Sequence, residues 1–528
     1  MKHTLLLSFF LMLSVLANAT SMQVSGNVSG KWDTDTVQVI GDLLVPNDQF
    51  LEIDPGVKVI FDGYYIFKVA GQIKAHGLIN DSISFYVSDT LGLSSLESNK
   101  GSWGGFWFEP TTSISDSSTF EFCNFKYGKA VAQDSVYWYG GAVFIRKYSK
   151  LRFSNCSFSN NIAYKNGGAI YCRASNIKIE DCAFSHNQAG TEMDYGYGGA
   201  VCLEYSNAKV YRNYFIRNLS TGVGGGLSFE YSNPDIDANI FDDNYSAIGG
   251  GLCCLRSEQG NSIANNLVKN NEAMFFGGGV AFLEAHSLFI NNTVVDNYSI
   301  YAGGMYCNAA AKPVIKNCIV WDNSASSEEG HQVTVFDVYS APEFYYNNIQ
   351  GGFEDFGGSG IGNFLGEYEN NIDIDPLFNG TGDEPLSLSG DSPCVNSGTP
   401  DTNGLLLPVR DLAGKDRIKG GQIDMGCYEN QGNSGVRDFS IQSIEIVVFP
   451  NPTADHSIIE MKIQEQTSLE IVMVDVQGKV ALIIPMQDYA PGDHQIKLST
   501  NQLDSGLHLI KCIDKDLKKT KTAKLIVQ

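Results

Sequence analysis

Apolar and polar residues alternate along this chain in short bursts, and the alternation has a period of two. Val143 and Ile145, Ile170 and Cys172, Leu227 and Phe229, and Val280 and Phe282 are each spaced to line the buried face of a strand. Each burst follows an opening of small residues. The openings are Gly140-Gly141-Ala142-Val143, Gly167-Gly168-Ala169-Ile170, Gly198-Gly199-Ala200-Val201, Gly224-Gly225-Gly226-Leu227, Gly249-Gly250-Gly251-Leu252, Gly277-Gly278-Gly279-Val280 and Ala302-Gly303-Gly304-Met305. Seven openings in six steps cover 162 residues, a mean of 27 per copy. A period of that size marks a solenoid or a propeller.

A second motif lies mid-copy and aligns without gaps. Phe153, Ile179, Val210, Ile236, Ile263, Phe289 and Ile315 come first. Three residues on come Cys156, Cys182, Asn213, Asn239, Asn266, Asn292 and Cys318. Five further on is an unbroken column of Asn161, Asn187, Asn218, Asn244, Asn271, Asn297 and Asn323. A copy of this length holds about three short strands, one coil of a parallel β-helix, with coils stacked ~4.8 Å apart. The expected fold is all-β: a right-handed parallel β-helix solenoid over residues 20–430, followed by a small C-terminal β-sandwich. The asparagine column reads as a structural ladder, because a turn over a buried stack needs its amides satisfied and Asn tolerates the left-handed region. An open end of such a stack would recruit other chains, and the stretch before Val37 is expected to cap it.

The glycine openings and the Phe158-Ser159-Asn160-Asn161 spacing resemble the repeats of polymorphic outer-membrane proteins, surface β-helices of the pectate-lyase-like kind. Ser392-Pro393-Cys394-Val395-Asn396-Ser397-Gly398 and Ile423-Asp424-Met425-Gly426-Cys427-Tyr428-Glu429 are similar to the closing segment of bacterial secreted β-helix repeat proteins. Residues 431–438 form a polar linker, after which the style changes. Phe449-Pro450-Asn451-Pro452, then Asp475-Val476-Gln477-Gly478-Lys479, then Leu503-Asp504-Ser505-Gly506-Leu507-His508 and Lys524-Leu525-Ile526-Val527 resemble the type IX secretion C-terminal sorting domain, which would occupy residues 439–528. His508 departs from that pattern, where Tyr is usual. The resemblance implies recognition by the type IX machinery, export across an outer membrane, and release or attachment at the cell surface.

The other end of the chain agrees with export. Lys2 and His3 precede a short apolar run, and Ala17-Asn18-Ala19 is a small-x-small cleavage site, so residues 1–19 read as a signal peptide. No other stretch is long and apolar enough to span a bilayer. Net charge is −23, and the last ninety residues hold nine Lys against eleven Asp plus Glu, so the excess lies upstream. Such a surface repels nucleic acid and anionic membranes, and it tolerates a polyanionic ligand only in a local basic groove. Most of the twelve Cys fall in inward columns and read as small hydrophobes. Cys156 with Cys182, and Cys394 with Cys427, are the candidate disulfides.

Candidate chemistry is sparse. One outward row reads Arg146, Arg173, Glu204, Glu230 in consecutive copies. Neighbours in such a row are about one coil apart, so Glu204 and Glu230 approach the ~5–5.5 Å spacing of a retaining glycosidase pair. Arg173 beside them is placed to lower a carboxyl pKa or to hold a uronate. Tyr205 and Tyr231 follow and offer rings for sugars. The longest copy carries an extra loop, residues 188–197, with Asp194 and Tyr195. The plain alternative is a surface salt-bridge row. No zinc spacing is present, and Asp401-Thr402-Asn403-Gly404 is the nearest approach to a calcium loop. The favoured reading is a surface protein that binds an extracellular glycan or other surface ligand; the alternative is a polysaccharide lyase or glycoside hydrolase.

Overall fold

The computed structural model describes residues 20–432 and 444–527 apart from 96–97, 111–116, 132–137, 259, 329, 454, 465, 476–478, 502, 504 and 515–518. The expected signal peptide, Val476-Gln477-Gly478 of the sorting-domain motif and most of the linker lie outside the described residues.

Each repeat coil supplies one strand to each of three faces and a fourth, short strand such as Ile162–Ala163 or Leu219–Ser220 to an eight-stranded ladder before the glycines. Face one holds the strands that follow the glycines, among them Val143–Arg146, Ile170–Arg173, Val201–Glu204, Leu227–Glu230 and Leu252–Leu255. Face two holds Leu151–Ser154, Lys178–Glu180, Lys209–Tyr211 and Asp235–Asp237. Face three holds Ser157–Ser159, Ala183–Ser185, Tyr214–Ile216 and Ile240–Asp242. Coil stacks on coil by parallel pairing in register: Val143 on Ile170, Ile170 on Val201, Val201 on Leu227. Parallel pairing leaves no local partner for any strand, so the neighbouring coil supplies both the hydrogen bonds and the apolar cover.

The interior is made of columns of like residues. Phe125, Phe158, Phe184, Phe215 and Phe241 stack with centroids 4.6–4.9 Å apart and planes within 6°. Phe153, Ile179, Val210, Ile236, Ile263, Phe289 and Ile315 are fully buried. The first glycine of each opening takes φ near +67° to +70°, from Gly140 to Gly277. The second has no room for a side chain; a Cβ on Gly168 or Gly199 would lie 2.1 Å from a carbonyl of the next coil. Glycine is therefore required twice at this corner, once for conformation and once for approach.

Two asparagine ladders run the length of the stack. In the first, each Nδ2 donates to the next Oδ1 at 2.8–2.9 Å from Asn161 to Asn323, and Gln332 ends it at 2.7 Å. The second runs through Asn213, Asn239, Asn266 and Asn292 at 2.9 Å. Cys takes the asparagine position at its ends: the Asn292 N–H donates to Cys318 Sγ and the Cys156 N–H to Cys182 Sγ, both at 3.4 Å. All twelve cysteines are buried and unbridged, which corrects both candidate disulfides. The thiols act as ladder rungs and core filler, and burial pushes the Cys172 thiol up to about 12.

The stretch before Val37 lies at the end of the stack. Ser21–Asn27 pairs in parallel with Thr36–Val45, and Gly30–Trp32 with Phe50–Ile53, so it is an incomplete first coil. At the other end, residues 394–430 fold back along the outside of the stack as a strap. Asn265 Nδ2 donates to Arg410 O (3.0 Å), Asn291 Nδ2 to Asp424 O (2.8 Å), and the Cys427 N–H to Thr293 Oγ1 (3.0 Å). Arg417 and Glu429 form a buried ion pair of 2.8 Å inside the strap. After the linker, a three-stranded and a four-stranded antiparallel sheet enclose a separate core including Met461, Ile471, Ile510 and Leu525. This is the expected sandwich.

Candidate functional site

The corner between faces one and two brings the sequence-derived row together. Arg146, Arg173, Glu204 and Glu230 occupy one register position in successive coils. The next residue in each coil turns the corner in the left-handed region: Lys147, Ala174, Tyr205, Tyr231, Arg256, Glu284 and Ala309 all have φ between 46° and 57°.

The two glutamates lie one coil apart but do not act as a pair. Glu204 is held from the preceding coil, by the Tyr171 hydroxyl and by Arg173 Nε at 3.6 Å. Glu230 is held from the following coil by Arg256, which also reaches Glu284 at 3.3 Å. Their carboxylates are thus drawn in opposite directions along the axis, each neutralised by its own partner. Glu204 in turn raises the Arg173 pKa. Burial, with the charge on Glu204, pushes the Tyr171 phenol well above its usual range, so Tyr171 stays a donor.

The tyrosines do not present open ring faces to a sugar. Tyr205 and Tyr231 stack on each other at 4.9 Å and 6°. Arg173 lies over the outer face of Tyr205 at 5.8 Å, and Arg256 over that of Tyr231 at 5.4 Å. The result is a four-layer sandwich, Arg173, Tyr205, Tyr231, Arg256, held by cation–π contact. The rings are 50% and 46% exposed, and the exposed parts are edges and hydroxyls.

Other sequence candidates fall outside this cluster. Arg146 turns to Glu109 of the coil before it, at 2.5 Å. Asp194 pairs with Lys165 and accepts from the Tyr164 hydroxyl at 3.1 Å, while Tyr195 stands 71% exposed on the loop. That loop enters face one at the start of Val201–Glu204, and the strand separates it from the tyrosines. Asp401 accepts from the N–H and Nδ2 of Asn403, so its carboxylate is spent on its own turn. Among the described residues, no three His, Cys, Asp or Glu side chains gather as ligands of a metal ion would. Phe276, Tyr301 and Phe336 wall a recess of about 430 Å³. Arg256, Tyr171 and Glu109 were missed in the sequence. Both Arg256 and Glu109 were findable: Glu109 stands at the position of Arg146 in the copy before the repeats, and Arg256 at the position of Tyr231 in the fifth copy.

Comparison with known families bears on the whole chain. Residues 114–294 match the family described as right handed beta helix region. Residues 447–528 match the secretion system C-terminal sorting domain. The chain is a right-handed parallel β-helix carrying a type IX sorting domain. That module directs the β-helix to the cell surface or the extracellular space. No curated protein matches the sequence. Among solved structures, a periplasmic alginate epimerase is similar at 10% identity and a TM-score of 0.30, over 65% of this chain and 77% of that one.

Proposed function

We propose that this secreted β-helix is a binding protein that holds extracellular glycan along the Arg173–Tyr205–Tyr231–Arg256 corner and performs no chemistry on it. The observation that carries this reading is the choice of residue at a left-handed position. The equivalent turn between faces two and three uses Asn at 155, 265, 291, 317 and 370 and Asp at 181, with Phe122, Arg212, Ala238 and Tyr346 as departures. The corner column uses Tyr, Tyr, Arg and Glu at 205, 231, 256 and 284, with no Asn, Asp or Gly. A left-handed conformation costs such residues about 1–2 kcal/mol each, and backbone ease does not select them. Their side chains face outward, and the chemistry they present is phenol hydroxyls, ring edges and guanidinium donors, which suit sugar hydroxyls. Glu204 and Glu230 are bound to opposite neighbours, which disfavours the lyase or glycosidase alternative.

The test is a glycan panel probed with the full chain and with a Tyr205→Asn/Tyr231→Asn variant. Retention of the parent on at least one glycan, with loss of about tenfold or more in the variant, is expected. Equal retention by both proteins would remove the corner from consideration.

A further inference from the structure

A second surface lies four residues further along the same coils, and it goes beyond the tyrosine corner. Face two carries Arg152, Lys178 and Lys209 at one register position in three successive coils. With Lys150 and the turn residues Asn176 and Asn207 they line a groove of about 370 Å³. This is a concentration of cations on a chain whose net charge is −23.

The row is anchored by one carboxylate. Glu180 lies beside it on the same face, covered by its partners to 7% side-chain exposure, and receives Arg152 Nε at 2.7 Å, Lys178 Nζ at 2.8 Å and Arg212 at 3.2 Å. Burial works to raise the Glu180 carboxyl, but Lys178 and Arg152 outweigh it and hold it below its ordinary value. One buried carboxylate therefore fixes cations whose outer surfaces stay open: the side chains of Arg152 and Lys178 are 51% and 39% exposed. Lys209 is exposed and has no ion-pair partner among the described residues. The amide oxygens of Asn176 and Asn207 each accept from the next coil's N–H, at 2.9 and 2.8 Å, which leaves their Nδ2 groups as outward donors.

We infer that this groove binds an anionic polysaccharide with one acidic group per sugar, laid parallel to the helix axis. Cations recur once per coil, ~4.8 Å apart, and a sugar in an extended chain advances by a similar length. Each coil then meets one acidic group with a cation and one hydroxyl-bearing edge with an amide. The groove is lined without an exposed aromatic side chain, so it lacks the stacking platform that single-stranded nucleic acid uses. The charge on the rest of the chain opposes an anionic bilayer, a broad surface that would meet far more of the chain than three coils.

The experiment is affinity electrophoresis of the full chain through gels holding polygalacturonate, dextran sulfate or neutral dextran, with a single-stranded oligonucleotide as competitor. Retardation by polygalacturonate assigns a carboxylated ligand, and retardation by dextran sulfate alone a sulfated one; either supports the inference. The retardation should weaken with salt, and Lys178→Gln/Lys209→Gln should lower affinity at least tenfold with an unchanged melting temperature. In that variant Glu180 keeps Arg152 and Arg212, so the fold is not at stake. Tyr205→Asn/Tyr231→Asn should leave this retardation intact, which separates the groove from the corner. No retardation by either anion, equal retardation by neutral dextran, an unaffected double-lysine variant, or displacement by the oligonucleotide at equal charge would each overturn the inference.

Discussion

Asn244 stands in the middle of the first ladder and serves four groups at once. Its Oδ1 accepts from the backbone N–H and Nδ2 of Asn218 at 3.0 and 2.9 Å. Its Nδ2 donates to Phe215 O at 2.9 Å and Asn271 Oδ1 at 2.8 Å. Asn244→Ala strands these groups in a dry interior and should cost about 2–4 kcal/mol in a denaturant melt. In the second ladder, Asn239→Cys should cost less than Asn239→Ala, because Cys318 shows a thiol filling the same post: it accepts from Asn292 and donates to Phe289 O at 3.4 Å. At the corner the opposite sign of reasoning applies. Tyr231→Asn exchanges a strained residue for one that tolerates the left-handed region, and loses about 0.5–1 kcal/mol of cation–π contact. Its stability should stay within about 1 kcal/mol of the parent while glycan retention falls. The ladder columns were legible because repetition aligns them. The partners of Glu204 and Glu230 were not, because which way a carboxylate turns between two neighbouring coils is a packing outcome with no sequence period.

The strap over residues 394–430 is the element the sequence left most open. Its motifs marked a domain end, but nothing periodic told which face it would cover. Arg417 ties it down, donating to Asn265 Oδ1 at 3.1 Å and Gly426 O at 3.0 Å besides Glu429. Arg417→Met leaves Glu429 buried without its cation and should cost about 3–5 kcal/mol. The same region sets a pH dependence. Burial, reinforced by Asp235, pushes the Asp237 carboxyl up to about 7, although Asn265 donates to it at 3.1 Å. Burial likewise raises Glu429, against the pull of Arg417. An acid with a raised folded pKa stabilises fully below its ordinary value of about 4 and loses that contribution as pH rises through about 7. Thermal melts should therefore show a higher melting temperature at pH 5.5 than at pH 8, and Asp237→Asn should flatten part of that slope. Glu180, whose pKa is lowered, acts the other way and destabilises only in more acid solution.

At the scale of the molecule, two self-contained all-β units divide the work. The C-terminal sandwich has its own core and carries the export signal, and the β-helix supplies a long surface on which outward positions recur coil by coil. Backbone turns at regular heights make such a surface suited to a repetitive ligand, and poorly suited to enclosing a small substrate. The architecture was readable from period and composition. The groove was not, since its walls come from cations on face two that turn to a shared anchor, Glu180, and which way those side chains turn has no sequence period. The most direct test is a single incubation of the full chain with its retained polysaccharide, in which bound protein and released sugar are both followed. Bound protein with no shortened, unsaturated or epimerised product is the result that binding without chemistry requires; product that disappears in Glu230→Gln would contradict it.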